Sequence, residues 1–440
     1  MAGLGLVKDL SMPFPAAPEV EPSDKKLRIC VVYSRSPLPM RRADQMTVAH
    51  LLAFLHARGH SVDLHHVDAG ASVSQDDRNW LRAHTHEASA YKVTLWTIVS
   101  GLSGLFTKFL PLQVALFSHR KQAREVRRKV QLNGYDILYT YYFRSAEITR
   151  DLGFPTGTPT EERSGRPASF LAFQLSQTLN ASRIAKNAPN LAIKILYEIE
   201  RRLVARYEAR IWRHFTKSIL IGKSDVEQIR AACATWGQPS IDNFFYGAHG
   251  TDVKRFKPRN DIAVKRDHLV FSGVMRTPTN VQAAQWFARN VWPLILKERP
   301  QATWSIVGRE PTREVLALGS LPGVNVTGAV DHPADLIAEA SVCINPMQAG
   351  GGMQNKLIEY LASGKAVVAT SVANEGINAP AEAIIIADEP TDFAAAVVAL
   401  LADSDKAEKQ GRCARAYALA EWTWESHFLK LEREFFAAIR

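Results

Sequence analysis

Three consecutive glycines, Gly350, Gly351 and Gly352, stand ahead of Met353-Gln354-Asn355-Lys356-Leu357-Ile358-Glu359, and here the sequence concentrates chemistry. Glycines let a backbone approach a ligand closely, and free amides at a helix start attract phosphate. A helix is expected to begin near Gln354, which puts Lys356 in its first turn. A cation there faces the positive end of the helix dipole and gains nothing from it, so a bound anion better accounts for its presence. Glu359, one turn on, reaches the same ligand and can accept hydrogen bonds from hydroxyls such as those of a ribose. The plainer alternative is a flexible turn before a surface helix with an ordinary Lys–Glu pair.

Such a loop needs strands to hold it. Leu27–Tyr33 is a β-branched run, Val48–Arg58 has helical apolar spacing, Gly59-His60 ends that helix, and Ser61–Val67 begins another strand. Strand, helix, glycine and strand in that order make a βαβ unit and imply a parallel sheet covered by helices. The pattern returns at Tyr135–Thr140, Ser169–Phe173 and Ser218–Ile221. A second series runs through His268–Gly273, Ala302–Gly308, Val324–Thr327, Ser341–Asn345, Ala366–Ala369 and Ala383–Ile386. A chain of 440 residues exceeds one compact core,. The expected fold class is therefore α/β, with two Rossmann-like doubly wound domains facing across a cleft that holds the ligand. The expected division is a disordered leader at 1–25, an N-terminal Rossmann-like domain at 26–258 and a C-terminal Rossmann-like domain at 259–420. A further helix is expected at 421–440.

Four scattered cysteines with no metal-ligand spacing point to a reducing, cytoplasmic location,. The Pro-rich start, Met1–Lys26, lacks the charged and apolar regions of a signal peptide, so the Asn180-Ala181-Ser182 sequon carries no weight,. A net charge of +10 suits nucleic acid, anionic lipid or a phosphorylated ligand, but no nucleic-acid-binding signature is present,. Lys108 and Pro111 interrupt the apolar stretch Val93–Phe117, against a transmembrane span,. Trp96, Leu105, Phe106, Phe109 and Leu110 precede a basic helix carrying Arg120, Lys121, Arg124, Arg127, Arg128 and Lys129. Residues 93–130 read either as a peripheral contact with the cytoplasmic membrane face or as a buried helix beside a solvated one. Gly222-Lys223-Ser224 fails as a P-loop because Lys217 stands where its first glycine belongs, and Asp403-Ser404-Asp405 reads as a turn,.

The run from Gly350 to Glu359, with Leu361–Ala369 behind it, resembles the retaining family 4 group of GT-B-fold glycosyltransferases. Ala248–Pro258 resembles the signature that closes the first lobe in that group, and Phe271–Arg276 the loop that meets the donor diphosphate. Ile306–Arg309 and Thr327–Asp331 resemble the strand ends around the nucleobase. Leu110–Phe117, Leu175–Asn180 and Glu200–Glu208 are similar to elements of a bacterial capsule and exopolysaccharide branch.

The resemblance implies transfer of a hexose-like sugar from a UDP- or GDP-linked donor to a glycan or lipid-linked acceptor in surface polysaccharide synthesis, with retention and without a metal or other cofactor. Lys356, Arg276 and Glu359 are the expected catalytic residues, the two cations offsetting charge on the departing diphosphate. Gly273, Gly308, Arg309, Asp331, Gly350, Gly351, Gly352 and Asn355 are the expected donor-binding residues. Three departures stand out. Gly351 replaces the first glutamate of the family's pair; Tyr141, Tyr142 and Arg144 follow the strand where many members carry a sugar-contacting histidine; and Pro39–Gln45 replaces a glycine-rich loop. Arg41, Arg42, Tyr141 and Arg144 are the acceptor-side candidates. The same two lobes also fit a sugar-nucleotide epimerase or a non-catalytic sugar-nucleotide-binding subunit.

Overall fold

The computed structural model describes residues 14–15, 17–68, 70, 73–163, 165–186, 191–247, 250–349 and 353–440. Gly350, Gly351, Gly352, Ala248, His249 and half of the expected leader lie outside the described residues. The chain divides into two units: residues 1–247 with 428–440, and residues 248–427.

The first unit is built on β1 (Arg28–Tyr33), β2 (Ser61–Asp68), β3 (Glu87–Lys92), β4 (Ile137–Tyr141), β5 (Ala168–Gln174), β6 (Lys217–Leu220) and β7 (Phe244–Tyr246). Their order is β3-β2-β1-β4-β5-β6-β7, and every pairing is parallel. Both faces are covered by helices, so β4 and β5 are buried along their whole length, as their largely apolar sequences demand,. Strand order reverses between β1 and β4, and the loops after Tyr33 and Tyr141 open at that switch point,. Gly59, at φ +80°, ends the helix Ala43–Ala57 where the expected stop signal stands,.

The Val93–Phe117 stretch is two short helices, Leu95–Thr107 and Leu112–Phe117, in close backbone contact. A methyl at Gly101 would lie 2.3 Å from the Ala115 carbonyl oxygen. Among the described residues no helix is long and apolar enough to cross a membrane. A buried carboxyl, Glu208, holds the loop after β5: it accepts from the Gln177 amide at 2.6 Å and the Thr178 and Ser176 hydroxyls at 2.6 and 3.0 Å. From Phe428 on, the helix Trp424–Ala438 belongs to this unit. Phe428 lies 5.5 Å from Phe54, and Phe435 lies 4.8 Å from Phe170. Glu432 is held by Arg58 at 2.9 Å and His60 at 2.7 Å.

The second unit carries β8 (His268–Ser272), β9 (Thr303–Val307), β10 (Val324–Gly328), β11 (Val342–Asn345), β12 (Ala366–Ala369) and β13 (Ile385–Ile386). The order is β10-β9-β8-β11-β12-β13, again all parallel. Here the reversal falls between β8 and β11, whose carboxyl ends lead into the Gly273 loop and the segment before Lys356. Of the strand expected at Ala383–Ile386, only Ile385 and Ile386 pair, against Val368 and Ala369. Asp403 is a helix cap instead of part of a turn, because its carboxylate accepts from the Lys406 amide at 3.0 Å and opens the helix Ser404–Glu421,. Cys30, Cys233 and Cys343 are buried and Cys413 half-buried, all as free thiols.

Candidate active site

The helix Asn355–Ala362 starts with Gln354 at its cap position, and no side chain caps it there. Lys356, its second residue, is 8 % exposed, and its Nζ lies 4.7 Å from the centre of the Phe271 ring,. The ammonium donates to the Asn280 Oδ1, and the Asn280 Nδ2 in turn donates to the Val274 carbonyl at 3.0 Å. Lys356 is thus fastened to the loop that leaves β8. Burial pushes its pKa down to about 7, with the charge of Glu359 acting in the opposite sense. Burial also pushes Glu359 up to about 7, against the pull of Arg255 and Lys356. Both groups therefore sit near the point where a ligand's charge decides their protonation.

Two glycine loops close over this lysine. A methyl at Gly308 would lie 1.6 Å from the Gly273 carbonyl oxygen, so the loops after β9 and β8 touch backbone to backbone. A methyl at Gly273 would come within 2.7 Å of the Asn280 amide and 3.4 Å of the Lys356 Cε. The Met275 amide donates to the Arg309 carbonyl at 2.9 Å, and the Gly308 amide to the Gly328 carbonyl at 3.1 Å, lacing three strand ends together. The Ser272 amide donates to the Tyr360 hydroxyl at 2.6 Å, anchoring the end of β8 to the lysine's own helix. Arg415 donates to the Ala362 carbonyl at 2.6 Å and the Phe256 carbonyl at 2.9 Å, tying the end of that helix to the segment carrying Arg255,. A buried cation beside exposed backbone at a switch point can hold a phosphate or diphosphate.

Gly273, Gly308 and Lys356 therefore come together, with Glu359 one turn on. Asn355 is exposed at the helix start. Arg276 is exposed and pairs with Glu310 at 2.8 Å. Arg309 is exposed in the next loop, and Asp331 is exposed beyond β10. In the first unit Arg41 and Arg42 are exposed in the loop leaving β1, while Asp44 is occupied by Arg35 at 3.0 Å and the Tyr33 hydroxyl at 2.7 Å. Arg144, in the loop leaving β4, lies over Tyr142 and Phe117 at 4.5 and 4.9 Å. Tyr141 corrects the expectation of an acceptor contact. It is 0 % exposed, edge-on to Tyr33 at 5.4 Å, because the last residue of a central strand points into the core. Sequence reasoning missed Asn280, Tyr360 and Arg255. The signal for Asn280 was its place two residues after Pro278, at the start of the helix that follows the Gly273 loop.

Residues 266–403 match the family described as Glycosyl transferases group 1. With the fold and the phosphate-suited site, that match defines the class: a nucleotide-sugar-dependent glycosyltransferase. The chain is 22 % identical over 381 residues to an uncharacterized 44.6 kDa protein in the cps region of Klebsiella pneumoniae, covering 84 % of this chain and 90 % of that one. Among solved structures, sucrose-phosphate synthase from Thermosynechococcus elongatus superposes with a TM-score of 0.59 at 17 % identity, covering 94 % of this chain and 100 % of that one. HepE from Anabaena, in complex with UDP and glucose, gives 0.55 at 12 % identity over 93 % and 100 %. TarM gives 0.57 at 10 % over 94 % and 99 %. These likenesses are of fold: each unit is a parallel-sheet α/β domain, as in GT-B glycosyltransferases.

Proposed function

We propose that this chain moves a sugar from a nucleoside-diphosphate sugar to a glycan or lipid-linked glycan acceptor in bacterial surface polysaccharide synthesis, with retention of configuration and without a metal. The observation that carries the reading is Lys356, a buried cation at the switch point of the second unit, fastened by Asn280 beside two backbones that exclude side chains. There an ammonium stabilises the charge that builds up on a departing diphosphate. Arg276, on the same loop as Gly273, supplies a second cation once it leaves Glu310, and Glu359 accepts from the ribose. The capsule-region relative favours a surface glycan as product, and the complexes of HepE with UDP and with UDP-glucose favour uridine in the donor.

The test is transfer from UDP- and GDP-hexoses to lipid-linked acceptors, with the product linkage read by NMR. Lys356→Ala should lower transfer by at least about 100-fold, the scale set by loss of one charge-stabilising group. A residual activity within a few-fold of wild type would sink the assignment. An inverted linkage would remove retention, and loss of activity on chelation would remove metal independence. Product formed from donor alone would point to an epimerase.

A further inference from the structure

The first unit contains an open cavity of about 560 Å³ whose lining residues all belong to that unit. Five cationic side chains face it, Lys108, Arg127, Arg150, Arg206 and Arg210, against two carboxylates, Glu147 and Asp151. Both carboxylates are already committed. Glu147 accepts from the Tyr207 hydroxyl at 2.9 Å and pairs with Arg150 at 3.4 Å and Lys108 at 3.6 Å. Asp151 pairs with His214 at 2.7 Å and Arg150 at 3.6 Å. Arg127, Arg206 and Arg210 have no carboxylate partner among the described residues. Arg206 and Arg210 lie one turn apart on the helix Leu191–Ile211, a spacing at which like charges repel unless an anion sits between them,.

Phe109, Leu110 and Ile211 are the apolar side chains of its lining. Arg206 lies 5.5 Å from the centre of the Phe109 ring, and Phe109 is 58 % exposed with a left-handed φ of +51°, a conformation bulky residues rarely adopt,. Trp96 and Val99 on the helix Leu95–Thr107, and Leu112 and Leu116 on the helix Leu112–Phe117, are exposed as well. Glu200 accepts from the Leu112 and Gln113 amides at 2.8 and 3.3 Å, which seats that second helix beside the exposed Leu196 and Ile199. The two helices with these exposed apolar residues are thus joined through Phe109 and Leu110, which line a cavity whose cations outnumber its anions.

We propose that this cavity binds the phosphate of an anionic lipid, with the exposed apolar residues of those two helices lying at the boundary between headgroups and acyl chains. Arginine guanidinia suit a phosphate oxygen pair, and those residues supply the apolar area that a soluble phosphate could not use. The site names a membrane partner for the proposed function but stands apart from the donor chemistry, so its test needs no sugar transfer. The intact chain is sedimented with phosphatidylcholine vesicles, with and without phosphatidic acid, and with inorganic phosphate as competitor. Phosphatidic acid should tighten binding at least about tenfold, and Arg206→Gln/Arg210→Gln should remove that gain. Removing two cations from the second unit, Arg289→Gln/Lys297→Gln, should leave it intact, and Trp96→Ser should weaken binding to every vesicle. If the double arginine variant fails to fold, Arg127→Gln, at an exposed position, carries the same test. Equal losses from both charge-removing pairs, indifference to phosphatidic acid, or binding of inorganic phosphate without binding of vesicles would each overturn the proposal.

Discussion

At Lys356 burial and charge oppose each other. The pKa near 7 follows from desolvation, so the free side chain loses its proton as pH rises past neutrality,. An arriving diphosphate favours the ammonium, and binding then takes up a proton wherever the free amine is neutral. Affinity for a nucleotide-sugar, which has no phosphate group titrating near neutrality, should fall above about pH 7 by up to about tenfold per pH unit. Calorimetry in buffers of different protonation enthalpy measures the uptake directly, and Lys356→Met should remove the part due to the ammonium, leaving only that of Glu359. Binding that ignores pH in the wild type would show that Lys356 is not beside the anion. Lys356 and Glu359 were legible in the sequence because a lysine in a first helical turn is anomalous. Asn280 was not, since only folding brings it to the ammonium.

Among the elements, the loops after β8 and β9 are held at a separation that admits no side chain. Gly308 has φ +150° and abuts the Gly273 carbonyl, so Gly308→Ala both strains the backbone and forces the loops apart. We expect a loss of about 3 kcal/mol of stability, read by denaturant unfolding, together with loss of nucleotide-sugar binding. Wild-type behaviour in both would mean that the two loops part freely. The strands flanking the switch points were legible as apolar runs, because parallel strands are buried on both faces. β3 and β7 were missed for the converse reason. β3 is an edge strand whose exposed positions alternate with half-buried ones and the buried Tyr91, and β7 pairs over three residues on one side only.

At the scale of the whole molecule, the chain closes by returning its last residues to the first unit. Phe435 is 0 % exposed against Phe170 and Tyr139, and Phe435→Ala should cost that unit about 3–5 kcal/mol,. Hydrogen exchange resolved by unit measures this. Protection in the second unit and nucleotide-sugar binding there should stay near wild type, whereas an unchanged first unit would show that the terminal helix contributes little to its core.

The residues of the sequence by themselves determined that the chain is α/β, that its strands come in two series, and that a helix carrying Lys356 and Glu359 begins soon after three consecutive glycines. These are local facts, encoded in periodicity, glycine placement and the conflict between a lysine and a helix dipole. Tertiary structure alone decided what surrounds that lysine: Phe271 from one strand, the Gly273 backbone just after it, and Asn280 from the next helix, with Gly308, 28 residues beyond Asn280, pressed against Gly273. It also decided that Tyr141 is core and that Arg127, Arg206 and Arg210 share a cavity. Strand order and helix packing bring such residues together across long stretches of chain, and no local pattern records that.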